Sequence, residues 1–105
     1  MDCCSTEPNE QGSGKKTRRS DEQKTALLNR LKRIEGQIRG LEKLIESDAY
    51  CNDVLQQSIS ARSALDGFNQ VLLGLHIKGC VADGIKEGDE EVVDELLKTM
   101  RKLMK

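Results

Sequence analysis

Aromatic residues are almost missing from this 105-residue chain, which has no Trp and only Tyr50 and Phe68. Strands favour aromatic and β-branched side chains. With those two rings, little Val or Thr and abundant Leu, Lys, Glu and Gln, the composition speaks against a β-sandwich or barrel and for an all-α fold. Long apolar runs are missing too. The longest is Val71-Leu72-Leu73, whereas a membrane-crossing helix needs about 20 residues. Residues 1–20 contain no apolar stretch of the signal-peptide kind. The expectation is one small, soluble, cytoplasmic domain with no membrane partner.

What the chain does have is charge, arranged unevenly. The formal net charge is −1, an average that conceals a gradient. Residues 1–14 carry three acidic and no basic side chains, residues 15–45 carry ten basic and four acidic, and residues 46–105 carry seven basic and eleven acidic. One third of the chain is therefore a basic surface of +6 inside an otherwise acidic protein, which points to an anionic partner. Four cysteines are present: Cys3, Cys4, Cys51 and Cys80. In a cytoplasmic setting thiol or metal chemistry is expected of them before disulfides.

Residues 1–19 mix Gly, Ser, Pro and charge with almost nothing apolar. They cannot offset the entropy of ordering, and a mobile tail is expected there, followed by a helical domain over 20–105. Ser20 with Gln23 fits a capping box, and Leu27, Leu28, Leu31, Ile34, Ile38, Leu41, Leu44 and Ile45 then keep helical spacing, predicting a first helix over about 20–47. Ser47-Asp48 supplies a stop and a new N-cap. A second helix follows from about Tyr50 to about Lys78, its centre built of small residues that include Ala61 and Ala64. A Gly-punctuated connection around Gly84 and Gly88 precedes a third helix from about Asp89, with an acidic start and a basic end that suit the helix dipole. Three helices without aromatic mass make a thin core for a monomer, so self-association is expected.

Cys51, His76 and Cys80 carry the chemistry. His76 and Cys80, four residues apart, fall on one helix face a turn from each other, a spacing for two ligands of one ion. Cys51 stands 25 residues before His76. On a continuous helix that is about 37 Å away, too far to share an ion within one chain. Two copies of the helix paired antiparallel about a two-fold axis remove the difficulty: Cys51 of one chain meets His76 and Cys80 of the other, giving two equivalent sites. Ala61 and Ala64 suit the close approach at such a crossing. Two thiolates and one imidazole form a soft set, which selects Cu(I) or Zn, and a set of three leans toward Cu(I). Taken singly, each of these residues is more often a packed core or surface side chain than a ligand; it is the joint geometry that argues for a site. The vicinal Cys3-Cys4 pair reads more simply as incidental or accessory thiols, and a basic helix face is most often merely solvated.

The stretch LLNRLKRIEGQIRGLEKLIESDAYCNDVLQQSISARSAL, then LLGLHIKGCV and the acidic-start third helix, closely resembles the copper-sensitive operon repressor family of bacterial transcription regulators. The resemblance covers about residues 22–104. It implies a three-helix protomer, a dimer built on antiparallel second helices and a disc-shaped dimer of dimers. It also implies a repressor that holds operator DNA when metal-free and leaves when metal binds. Residue by residue, it places Cys51, His76 and Cys80 as Cu(I) ligands and Tyr50 and Glu95 as outer partners of the histidine ring. Arg30 falls on a DNA-contacting position, with Lys32, Arg33 and Arg62 beside it as further candidates. Gly67 replaces a second basic residue found in some relatives. Nickel and cobalt sensors add a ligand near position 19, where this chain has Arg19. The persulfide-sensing branch replaces the histidine that this chain keeps.

Besides a Cu(I)-responsive repressor, two alternatives follow: a reactive-sulfur-responsive repressor of the same family, switched by a Cys51–Cys80 link between subunits, and a copper-buffering protein without DNA binding. A copper donor is a conceivable further partner of either copper-binding reading. An enzyme is not expected, since one His and no nucleophile–base motif leave no catalytic apparatus.

Overall fold

The computed structural model describes residues 4–5 and 16–105, so most of the expected tail at 1–19 lies outside the described residues. Two short strands, β1 (Cys4–Ser5) and β2 (Lys16–Thr17), pair antiparallel, with Cys4 opposite Thr17 and Ser5 opposite Lys16. The other regular structure among the described residues is helical: α1 (Asp21–Glu46), α2 (Cys51–His76), a π turn at Ile77–Val81, α3 (Ala82–Lys86) and α4 (Glu91–Leu103). The all-α expectation of three long helices holds, with a very short α3 added. The chain falls into two compact units, Ser20–Leu72 and Met1–Arg19 with Leu73–Lys105.

In the unit Ser20–Leu72, α1 starts with the foreseen capping box. The Ser20 hydroxyl accepts from the Gln23 N–H at 3.1 Å, and the Gln23 side chain accepts from the Ser20 N–H at 3.2 Å. Its end is a Schellman motif: the Ala49 N–H bonds to the Leu44 carbonyl at 2.9 Å and the Asp48 N–H to that of Ile45 at 3.2 Å. Asp48 sits at φ 54° to allow this. It is thus the left-handed stop of α1 and not, as expected, the N-cap of α2. That place belongs to Tyr50, whose carbonyl accepts from the N–H groups of Asp53 and Val54.

The two helices run antiparallel, as two contacts at different heights show. The Arg30 guanidinium lies over Gly67, 3.6 Å from where a Cβ would stand, while Gln57 reaches Gly40 and donates from Nε2 to the Gln37 carbonyl at 3.4 Å. Gly40 therefore has a packing reason to be glycine: a methyl group there would come within 3.3 Å of Gln57 Nε2. Burial is sparse. Only Leu27 and Ala61 are buried in this unit among the described residues, while Leu55 and Ile59 on α2 are each 54% exposed.

In the other unit, the end of α2 passes into the π turn, where the Ala82 N–H bonds to the Ile77 carbonyl five residues back as well as to that of Gly79. The chain stays helical through Lys86, so the irregular connection expected straight after Cys80 is confined to residues 87–90. There Gly88 adopts φ 78° and the Asp89 N–H reaches back to the Gly84 carbonyl at 2.8 Å. Asp89 stands two residues before α4, its carboxylate accepting from the Glu91 N–H at 3.0 Å in an Asx turn. Cys80 and Val81 are buried, and α4 packs on the π turn and α3. Gly84 is the point of closest fit: a Cβ there would lie 2.6 Å from Val92 Cγ1.

Thermal melts of two variants test this account. Gly84→Ala forces Val92 aside and is expected to cost about 1–3 kcal/mol, whereas Asp48→Gly relieves a left-handed L-residue and is expected to stabilise by up to about 1 kcal/mol.

Candidate metal centre and nucleic-acid interface

Helix α2 is unbroken from its first residue, Cys51, to its last, His76. Cys51 is an exposed free thiol, His76 is half-buried, and Cys80, one turn on, is buried at 4% exposure. Tyr50 is 73% exposed beside Cys51, and Glu95 is exposed on α4. His76, Cys80 and Glu95 thus belong to one unit, Cys51 and Tyr50 to the other. Among the described residues no three His, Cys, Asp or Glu side chains gather closely enough to hold an ion. The donor types of Cys51, His76 and Cys80, two thiols and an imidazole, nevertheless suit a soft monovalent ion.

One observation corrects the sequence reading, which set disulfides aside: Cys80 is disulfide-bonded. Its sulfur also lies 3.6 Å from the Thr17 hydroxyl. A disulfide sulfur carries no hydrogen, so Thr17 is the donor. Sequence reasoning missed Thr17 altogether. No spacing rule links residues 17 and 80; only the seating of β2 beside the π turn does.

The basic candidates lie where solvent reaches them. Arg30, Lys32 and Arg33 are exposed on α1, and Arg62 is exposed on α2. Arg30 differs from the rest in that its guanidinium rests over the bare backbone of Gly67. Glycine at 67 is therefore what gives Arg30 its seat. Arg39 is engaged with Glu35 at 3.7 Å across one helical turn. Both are well exposed, so the pair contributes a few tenths of a kcal/mol at most, on the order of 0.5.

A family model described as metal-sensitive transcriptional repressor matches residues 23–102. The copper-sensing transcriptional repressor CsoR of Bacillus subtilis is 43% identical over 88 residues, covering 83% of this chain and 87% of that protein. Among solved structures, the copper-sensing repressor CsoR with Cu(I) from Geobacillus thermodenitrificans superposes with a TM-score of 0.79 at 37% identity, covering 86% of this chain and 95% of that one. The nickel-responsive transcriptional regulator InrS superposes with a TM-score of 0.65 at 31% identity, covering 84% and 97%. The family match begins at Gln23, so Cys3, Cys4, β1 and β2 lie outside it.

Cys51 and Cys80 are expected to differ in reactivity. Cys51 should take up an alkylating reagent at once in the unreduced protein, and Cys80 only after a disulfide reductant is added. Peptide mapping of the alkylated protein reads both directly.

Proposed function

We propose that this chain, which belongs to the family of metal-sensitive transcriptional repressors, is a copper-sensing member that binds operator DNA when metal-free and releases it when Cu(I) is bound. The observation that carries this reading is the placing of Cys51 and His76 at opposite ends of one unbroken helix, with Cys80 a turn beyond. Two soft thiolates and an imidazole suit Cu(I), and the geometry is completed only by antiparallel pairing of two α2 helices. Arg19, a residue that does not ligate, stands where nickel-sensing relatives are expected to add a donor.

Pairing has its own physical support. Leu55 and Ile59 form an exposed apolar stripe on α2, and with so few buried residues a lone chain has little to hold it folded. Ala61 is already buried within the chain, so the half-buried Ala64 is left as the small residue for the crossing. A dimer of dimers in the cytoplasm, where operator DNA is, completes the proposal.

In this reading Cys51 of one subunit acts with His76 and reduced Cys80 of the next, while Tyr50 and Glu95 orient the histidine through its second ring nitrogen. Cu(I) held by these three residues would supply soft-ligand coordination that ties the two subunits' side chains together. Arg30, Lys32, Arg33 and Arg62 meet DNA phosphates in the metal-free arrangement, and the metal-bound arrangement sets them at spacings that no longer fit.

Three measurements test this. Fluorescence anisotropy with labelled operator under anaerobic, reducing conditions should show affinity falling by about tenfold or more when Cu(I) is added, a coupling on the order of 1–3 kcal/mol; unchanged affinity in the metal-loaded protein sinks the proposal. Arg30→Ala should weaken binding and lower the salt dependence by about one counterion. His76→Ala should keep operator affinity and lose the copper response; a variant still released by Cu(I) would remove His76 from the site.

A further inference from the structure

Cys80 is engaged in a way that the copper reading does not use. It is disulfide-bonded, and Cys51 is a free thiol, which leaves the N-terminal Cys3-Cys4 pair as the source of the other sulfur. Independent of that elimination, β1 and β2 put Cys4 in register with Thr17, and the Thr17 hydroxyl is 3.6 Å from the Cys80 sulfur. Residues directly opposite each other in an antiparallel ladder are near neighbours. The ladder thus points to position 4 as the neighbour of Cys80. All of these residues belong to one unit of the chain.

We propose that Cys4 and Cys80 form a reversible intrachain redox site in which the disulfide and metal ligation exclude one another. This rests on the copper reading for its second half only. The oxidant is a low-molecular-weight disulfide of the glutathione class. The Cys4 thiolate attacks one sulfur of the reagent, forming a mixed disulfide and expelling one small thiolate. The Cys80 thiolate then attacks the Cys4 sulfur and expels the second. Two protein thiols are oxidised, one external disulfide is reduced to two thiols, and the two protons of the protein thiols pass to solvent or to the expelled thiolates. A sulfur held in a disulfide is no longer a thiolate and does not serve as a soft anionic ligand. Oxidation therefore removes one of three donors from the copper site. Cytoplasmic disulfides are as a rule transient and regulatory, which is the role assigned here. Thr17 is a positioning residue, its hydroxyl donating to the Cys80 sulfur.

The full-length protein, fully reduced and then treated with oxidised glutathione, is alkylated and mapped by mass spectrometry without reduction. The proposal expects one crosslinked pair of peptides, containing the N-terminus and Cys80, with Cys51 alkylated. It expects the link to persist in Cys3→Ser and to vanish in Cys4→Ser. A Cys80 that remains alkylatable after oxidant, a link to Cys51, or a link that survives Cys4→Ser overturns it. Competition with a chromogenic Cu(I) chelator then reads the second half: the oxidised protein should bind Cu(I) at least about tenfold more weakly than the reduced one, with recovery on reduction. A crosslinked protein that holds Cu(I) as tightly as the reduced form overturns the mutual exclusion. A reduced protein with no Cu(I) affinity overturns the copper reading and the exclusion with it, while the peptide map still decides the disulfide.

Discussion

The constraint that everything else follows from is the continuity of α2. A helix of 26 residues with no break between Cys51 and His76 keeps its two ends apart as firmly as a rod does, because each residue adds a fixed rise. No rearrangement of side chains brings the first residue to the last. Cys51 stands at the head of that helix, with His76 at its end and Cys80 a turn beyond. In the proposed reading, metal chemistry and self-association become one question, since Cys51 joins His76 and Cys80 only where two such helices lie head to tail.

The scarcity of buried side chains is consistent with this. Four apolar residues are buried among those described, Leu27, Ala61, Cys80 and Val81, and burial of an aliphatic side chain contributes only about 1.5–3 kcal/mol. A core that small gives a lone chain little folding free energy. Exposed Leu55 and Ile59 are unusual on a monomer and ordinary on half of an interface.

Much of this was legible in the sequence where local rules decide. The α1 boundaries follow from a capping box and apolar spacing, both short-range, and the expected 20–47 differs from the observed Asp21–Glu46 by a single residue at each end. The reading failed where a residue's role depends on more than one local preference. Asp48 satisfies the rules for a helix stop and for an N-cap, and only the backbone hydrogen bonds of Ala49 and Asp48 decide that it is the stop. Gly84 resembled loop punctuation because glycine is poor in helices, yet it lies within α3, where Val92 leaves no room for a side chain. The candidate donors could be picked out as a residue pattern; the approach of Thr17 to Cys80 could not, since contacts 63 residues apart in sequence leave no periodic trace.

The Gly84–Val92 contact has a consequence for how the chain can vary. The two positions share one fixed volume: what one gains in side-chain size the other must give up, because a packed interior accepts exchange of volume more readily than growth. Alanine at 84 becomes tolerable once 92 is itself reduced to a small residue, and glycine at 84 is what allows a β-branched residue at 92. The pair should therefore drift together, one compensating for the other, while either change made alone loosens the seat of α4 against the segment that carries Cys80.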